Sequence, residues 1–179
     1  SAAGGVKGLV LRGIDPESAP RVLSMLREIR RGSVADLKRE GTPGIVIGEE
    51  LAKRLGIGLG SRVNLLSPSG EKGATGYSPR IRPFEVVGIF KTGMFEYDAT
   101  LAFVDLKAAR DILGLPDGFL TGIEIMVDDV YKADAIAQSV QDTLGSPFYV
   151  RHWMEMNANL FAALKLEKIG MFILLTMVV

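Results

Sequence analysis

The chain has 179 residues, 47% of them hydrophobic, so it can bury the core of one domain or of two small ones. Its 21 Lys and Arg residues balance its 21 Asp and Glu residues, which excludes the positive field that attracts nucleic acid. Cysteine is absent, so disulfides and thiolate metal sites are excluded as well.

Local signals predict the first elements. Val6–Ile14 is rich in Val and Leu and predicts a strand. Asp15 and Pro16 are typical of a helix start, because Asp caps the first turn and Pro tolerates its first position. The apolar side of this helix would consist of Val22, Leu23, Leu26 and Ile29. Its solvated side would consist of Arg21, Arg27, Arg30 and Arg31.

A strand and a helix follow, after a short turn of helix predicted at residues 34–40. Ile45–Ile47 predicts a buried strand. Gly48 opens the next helix and Gly56 closes it. A phosphate site at this helix start is not predicted, since the glycine spacing fits no phosphate-binding motif and Glu49 and Glu50 would repel the anion.

Ser67–Pro83 is a proline-bounded, glycine-rich segment between two predicted strands, Arg62–Leu66 and Phe84–Phe90. Prolines remove backbone donors and glycines permit turns, so we expect neither a regular strand nor a helix within it. The two flanking strands would form an extended hairpin with this loop at its tip. A loop of this length is usually functional or disordered, and backbone chemistry leaves both alternatives open.

The next elements complete a β-rich region. Thr92–Asp98 is predicted as a connection and Thr100–Val104 as a strand. Asp105 should cap a helix that ends at Gly114. Leu115–Thr121 is the predicted linker between subdomains.

The remaining chain predicts a small βαβ unit followed by a long helix. Ile123–Val127 and Phe148–Val150 are the predicted strands, and Tyr131–Leu144 has the apolar spacing of an amphipathic helix. The last helix runs from Trp153 into the apolar end IGMFILLTMVV. It is either a buried core helix or the start of a transmembrane helix, and its apolarity on every side favours the second.

Residues suited to catalysis are scarce. His152 is the only histidine, which leaves little material for a metal site or a catalytic triad, and we predict a structural role for it. Asp128 and Asp129 follow a predicted strand, where turn formation and capping explain them best. We therefore predict no catalytic residue, no metal site and no cofactor.

The order of four segments carries a resemblance to a known family. These segments are GIDP at 13–16, GIVIGEELAKRLGIGLGSRVNLLSP at 44–68, FEVVGIF at 84–90 and NLFAALKLEKIGMFILL at 159–175. Together they resemble the LolC and LolE family of lipoprotein-releasing ABC transporter permeases, over nearly the whole chain. The resemblance implies a non-catalytic domain on the periplasmic side of the bacterial inner membrane, between the first two transmembrane helices of a permease.

The resemblance also implies an α+β fold with three parts. Residues 1–118 would form a β-rich subdomain with a protruding hairpin whose loop is 67–83. Residues 119–151 would form part of an α+β subdomain, and residues 152–179 a long helix that starts a transmembrane span and transmits movement. The first transmembrane helix and the other half of the α+β subdomain would precede Val6, so Ile123–Val127 would lie at an exposed sheet edge.

In that family the LolC member has a protruding hairpin, the Hook, which recruits the periplasmic carrier LolA. The loop at 67–83 occupies the Hook position, and Pro68, Pro79 and Arg82 match residues of the family's contact region. Tyr77 and Arg80 lie in the same segment and complete the predicted partner-binding set. An exposed arginine suits this role, because it can form bidentate bonds to a carboxylate.

The partners implied are a LolA-like carrier, a second permease subunit, a LolD-like cytoplasmic ATPase subunit and the lipoprotein substrate. Two alternatives stay open. One is a permease of the same superfamily in efflux or cell-division signalling. The other is a soluble domain with a double-psi-like barrel, since EELAKRLGIGLGSRVNLL suits the helix, glycine turn and strand of such barrels.

Overall fold

A computed structural model of the protein describes residues 6–27, 29–73 and 76–178, with their side chains except at 69–73, 76, 77, 160, 161 and 178. The strands are β1 (Val10–Ile14), β2 (Ile29–Gly32), β3 (Gly44–Gly48), β4 (Arg62–Gly73), β5 (Gly76–Phe90) and β6 (Leu101–Asp105). The α-helices are α1 (Ala19–Val22), α2 (Glu49–Leu55), α3 (Phe95–Thr100), α4 (Leu106–Leu113), α5 (Ala133–Leu144), α6 (Trp153–Met156) and α7 (Ala158–Val178). Short 3-10 helices lie at Ser24–Leu26, Ala35–Leu37 and Val130–Lys132.

The chain divides into two compact units, one ending at Glu124 and one starting at Ile125. The first unit contains a mixed six-stranded sheet in the order β1-β6-β3-β5-β2, with β4 paired to β5. β1 and β6 are parallel, β3 and β5 are parallel, and β3 and β6 are antiparallel. The predicted α+β class is confirmed. The sheet has two ends, so among the described residues it does not close into the barrel that we considered as an alternative.

Apolar side chains cover both faces of the sheet, because neighbouring strand residues point to opposite faces. One core cluster contains Ile45, Ile47, Phe84 and Val86 and is packed against α2 and α4 through Leu51 and Ile112. The other cluster contains Val46, Phe90 and Phe103 and is covered by the 3-10 segments through Leu26 and Leu37. In the second cluster the Phe90 and Phe103 rings meet edge to face, with centroids 5.6 Å apart.

Of the helix predicted from Asp15 to Ile29, only Ala19–Val22 is an α-helix. Leu23 is extended, with φ of −94° and ψ of 100°, so α1 ends at Val22. Ile29 begins β2, which pairs antiparallel with the end of β5. The Arg27 guanidinium donates to the carbonyls of Pro20 and Arg21, which compensates for the short helix. Pairing with a sheet edge outweighs the helical spacing of the apolar residues here.

Several predicted elements are confirmed where the local signal is strong. α2 ends at Gly56, which has the left-handed φ of +63° that the cap requires. The Asp105 carboxylate accepts a hydrogen bond from Lys107 N at 3.0 Å and so caps α4. Gly114 ends α4 with φ of +69°.

α5 confirms the central helix of the predicted βαβ unit, whereas the two strands predicted at Ile123–Val127 and Phe148–Val150 are not formed. Residues 122–127 and 148–150 carry no strand pairing, and Ile125 and Phe148 are 67% and 58% exposed. The Gln141 side chain donates to Phe148 O at 3.0 Å and accepts from Val150 N at 2.8 Å. The Gln141 side-chain amide therefore bonds the backbone groups of Phe148 and Val150 that a paired strand would bond.

The C-terminal helix is divided at Asn157. α6 ends there, and Asn157 Nδ2 donates to Trp153 O at 2.7 Å, a local bond that competes with helix continuation. The long helix begins at Ala158 rather than at Trp153 as predicted. Among the described residues, no helix combines the length and the apolarity that crossing a membrane requires.

Candidate functional site

The candidate site is built on the hairpin formed by β4 and β5. β3 pairs with β5 only from Glu85 onward. The first residue of β3, Gly44, is the partner of Glu85. In the described part of the chain, the earlier residues of β5 pair with β4 alone. Residues 64–73 and 76–83 thus form a two-stranded ribbon, which we call the arm. We call the rest of the sheet, with α2 and α4, the body.

Pairing within the arm is interrupted at one place, which we call the joint. Ser67 lies opposite Arg80, and the next pair is Glu71 opposite Ser78. Residues 68–70 therefore oppose only Pro79, which is a β-bulge. Pro68 and Pro79 have no N–H to donate, so they occur where the ladder is already broken.

The prediction that no regular structure forms within Ser67–Pro83 is wrong, since β4 and β5 continue through most of this segment. The predicted extended hairpin is present, with its strands longer than expected. Proline has no N–H to donate to the ladder, but it can still lie in an edge strand or a bulge. Cross-strand pairing of the neighbouring residues is sufficient to keep the ribbon regular on both sides of the joint.

One face of the arm is apolar and open. Leu66 and Ile81 are cross-strand partners, and they are 60% and 58% exposed. Pro83 lies two residues further along β5 and is also exposed. Pro68 and Pro79 at the joint are exposed as well. We call the surface formed by Leu66, Ile81 and Pro83 the outer face.

The opposite face of the arm contains arginines above the core. Arg82 is the cross-strand partner of buried Leu65, and Arg80 is the partner of Ser67, which is only 5% exposed. Arg80 Nη1 donates to the backbone carbonyl of Asp111 in the last turn of α4 at 3.1 Å. Arg82 is exposed, and within the described residues its guanidinium has no hydrogen-bond or ion-pair partner.

These arginines line a shallow depression of about 420 Å³ between the arm and the end of α4. Arg110 is the third arginine there, and its Nε donates to Phe119 O at 2.8 Å. The Asp111 side chain contributes the opposing charge. Guanidinium groups are favoured at the C-terminus of a helix, where the backbone carbonyls carry partial negative charge. Three guanidinium groups against one carboxylate leave its lining with a net positive charge, and two of the three already donate to backbone carbonyls.

A second depression of about 780 Å³ adjoins the first through Arg82 and Asp111. Its rim contains Lys38 and Arg39, both already paired. Arg39 Nη1 lies 2.7 Å from the Glu85 carboxylate, and Lys38 Nζ lies 3.0 Å from Asp15. The hydrogen bond from Ser18, together with the Lys38 ammonium, holds the pKa of Asp15 below its ordinary value. The Asp15 carboxylate in turn raises the pKa of Lys38.

The five predicted partner-binding residues fall in different places. Pro68 and Pro79 lie at the joint, whereas Arg80 and Arg82 lie on the arginine face. Tyr77 is opposite Lys72 in the ribbon, and its side chain lies outside the described residues. Sequence reasoning missed Leu66, Ile81 and Arg110. The strand period of two along β4 and β5 could have revealed the first two, because Leu66 and Ile81 are apolar at positions where that period predicts an outward-facing side chain.

The remaining candidates from the sequence lie outside the arm. The Asp129 carboxylate accepts from Tyr131 N at 3.0 Å, which is the capping role that we predicted. His152 precedes α6, and its buried Nδ1 has no hydrogen-bond partner among the described atoms. Across residues 6–27, 29–73 and 76–178, no group of three or more His, Asp or Glu side chains could hold a metal ion.

Comparison with known proteins identifies the family. A family model of the MacB-like periplasmic core domain matches residues 1–143 of the 179. The chain belongs to this family of periplasmic core domains. Such permease domains are typically non-catalytic.

Several curated relatives of this periplasmic core domain are named as permeases. It is 33% identical over 178 residues to the lipoprotein-releasing system transmembrane protein LolC of Neisseria meningitidis, covering 99% of this chain and 42% of that protein. It is 34% identical to LolC of Xylella fastidiosa (95% of this chain, 40% of that protein) and 22% to LolE of Haemophilus influenzae (97% and 41%). The chain therefore spans about two fifths of the length of these relatives. The resemblance to the LolC and LolE family is confirmed.

Proposed function

We propose that this periplasmic core domain belongs to a permease subunit of an ABC transporter that releases lipoproteins from the inner membrane and hands them to a periplasmic carrier. The names of the LolC and LolE relatives support the lipoprotein substrate. The observation that carries the proposal is the arm, a ribbon that extends beyond the sheet with an exposed apolar face.

The outer face is the proposed docking surface for the carrier. Leu66 and Ile81 are already aligned by cross-strand pairing, so a partner that covers them removes apolar surface from water without first ordering the ribbon. Pro68 and Pro79 limit the conformations open to the joint, which lowers the entropic cost of binding further. Tyr77 remains part of the proposed contact set.

Arg82 is the proposed electrostatic contact. Arg82 lines both depressions, and so does Asp111. A carboxylate of the carrier could accept two parallel hydrogen bonds from the Arg82 guanidinium. Such a contact would fix the orientation of the carrier, whereas the outer face would supply the apolar contact.

The remaining partners follow from the relatives. We propose that residues 119–151 form part of an α+β subdomain and that residues 152–179 start a transmembrane span. α7 would transmit movement between the membrane and the periplasmic domain, since a continuous helix bends little along its length. A second permease subunit and a separate cytoplasmic ATPase subunit would complete the transporter, with no catalytic residue supplied by this chain.

Deleting the arm from the intact permease tests the proposal. Residues 66–81 would be replaced by a two-residue Asn-Gly turn, which suits a short antiparallel connection between Leu65 and Arg82. We expect the variant to assemble with its partner subunits and to lose carrier binding in a pull-down. Leu59→Asp is the matched control, because Leu59 is an apolar residue 46% exposed outside the arm.

Carrier binding that survives removal of the arm would contradict the proposal. An intact permease that never binds a carrier, and whose ATPase activity does not respond to lipoprotein, would instead favour a superfamily role in efflux or cell-division signalling.

A further inference from the structure

A backbone carbonyl at the end of α4 accepts a hydrogen bond from a side chain. The last carbonyls of a helix have no intrahelical donor and must be satisfied in another way. At this end, Gly114 N and Leu115 N both donate to Arg110 O. Asp111 O accepts instead from Arg80 Nη1 of β5, at 3.1 Å. A residue of the arm thus contributes to the C-terminal cap of a body helix.

The Arg80 guanidinium lies close to Gly114, which has no side chain. A Cβ at this position would lie 3.1 Å from Arg80 Cζ and 3.3 and 3.4 Å from its two terminal nitrogens. The backbone φ of +69° also favours glycine there. The Arg80 guanidinium therefore lies directly against the backbone of the helix cap, in a space that exists because residue 114 has no side chain.

Arg80 is also placed where the arm needs support. It belongs to the last regular pair before the joint, opposite Ser67. Beyond it, Pro68 and Pro79 contribute no N–H and the ladder is interrupted. The ladder is weakest at the joint, so a side-chain contact between the arm and the body on the near side of the joint adds to what fixes the direction of the ribbon.

We propose that Arg80 is a positioning residue, whose bond to the end of α4 fixes the angle at which the arm leaves the body. It acts through the arm, in contrast to Arg82, which has no partner in the described structure and is free to meet a ligand. The use of this fixed angle in carrier docking rests on the proposed function. The angle itself is inferred only from the contact between Arg80 and the end of α4.

Arg80→Gln in the intact permease tests this proposal, with Arg82→Gln as the matched control for charge removal from the same face of the same strand. Nitroxide labels at Ser78→Cys and Lys107→Cys, both exposed positions, report the distance between arm and α4 by pulsed EPR. The 179 residues contain no cysteine that would interfere. Hydrogen exchange of the amides at 64–67 and 80–82 gives a second measurement.

We expect Arg80→Gln to broaden the distance distribution and to raise amide exchange at these positions about tenfold, the effect of losing one charge-assisted hydrogen bond. Arg82→Gln should change neither measurement. Arg80→Lys keeps the charge and one donor, and it should restore at least part of the narrow distribution.

An unchanged distance distribution and unchanged exchange in Arg80→Gln would overturn the proposal, even if carrier binding fell, because Arg80 would then be a contact residue. A broadened distribution in a permease that binds no carrier would support the positioning role and contradict the carrier proposal. The two proposals can therefore fail separately.

Discussion

Leu66 and Ile81 face each other across the arm, and both residues are more than half exposed, at 60% and 58%. A cross-strand apolar pair of this kind usually lies over a core or under a helix. In this chain the pair lies on the open face of the ribbon, while the arginine face lies toward α4. The apolar surface is therefore available to another molecule.

Replacing this pair by Leu66→Asp and Ile81→Asp should abolish carrier binding, since a charged surface would have to be desolvated at the contact. The free energy of unfolding should fall by about 1–2 kcal/mol, because exposed substitutions change stability little but two like charges directly opposite each other in a ribbon repel. Co-purification of the carrier and urea denaturation measure the two effects. Retained co-purification of the carrier with the double variant would exclude the outer face as its docking surface.

Phe84→Ala should destabilise the first unit strongly. Phe84 is 1% exposed and lies at the base of the arm, in the cluster packed against α2 and α4. We expect the free energy of unfolding to fall by about 3–5 kcal/mol, the range for truncating a buried phenylalanine. Chemical denaturation followed by circular dichroism measures it, with Phe95→Ala as the exposed control. A loss below the Phe95→Ala value would contradict the burial of Phe84.

Asp98→Asn should destabilise the connection between β5 and α3. The Asp98 carboxylate is 5% exposed and accepts hydrogen bonds from Thr92 N, Thr92 Oγ1 and Gly93 N. Asn presents an amide N–H₂ in place of one acceptor, so a donor would be left unpaired at a cost of about 1–3 kcal/mol. Differential scanning calorimetry should show a lower Tm than Asp117→Asn, which changes an exposed carboxylate. Equal Tm values would show that the three bonds contribute nothing measurable.

Acid should remove the stability contributed by Asp15. Its pKa in the folded chain is lowered, first by the hydrogen bond from Ser18 and then by Lys38. The contribution is therefore complete above the ordinary pKa of 3.8 and is lost as the pH falls below that value through the folded-state pKa. Ser18→Ala and Lys38→Met should each raise the pKa of Asp15, as measured by NMR titration of its carboxyl group. A pKa that stays unchanged in both variants would contradict these two causes.

The full chain should require detergent, and removing Ile169–Val179 should relieve this requirement, because α7 exposes large apolar side chains such as Phe172 and Leu174. Size-exclusion chromatography in plain buffer compares the shortened and full chains. A full chain that is monodisperse in plain buffer would contradict the membrane proposal for this segment.

Local signals were sufficient for much of the fold. Gly56 and Gly114 both have the left-handed conformation that ends a helix, and Asp105 caps α4 as its residue type indicates. Such signals act within one turn of the chain, so no tertiary contact has to be known. The order of the four family segments likewise identified the permease family, without showing which residues of the arm face outward.

Tertiary contacts decided the rest. Ile29 has helical spacing with Leu26, yet it joins the sheet because β5 offers an unpaired edge. Ile123–Val127 has strand alternation, yet it forms no strand because no described neighbour pairs with it. In both segments the local preference is a fraction of a kcal/mol per residue. Strand pairing outweighs this preference at Ile29, and the lack of a pairing strand outweighs it at Ile123–Val127.

The sequence by itself determined the α+β class, the helix caps and the family, because these depend on residue type, spacing and order. Only the tertiary structure decided that the segment rich in proline and glycine is a ribbon. It also decided that Arg80 binds the end of α4 while Arg82 stays open. Those outcomes depend on which backbone groups meet across the joint, and residues thirty positions apart in the chain, such as Arg80 and Asp111 with a separation of 31, meet only in the folded molecule.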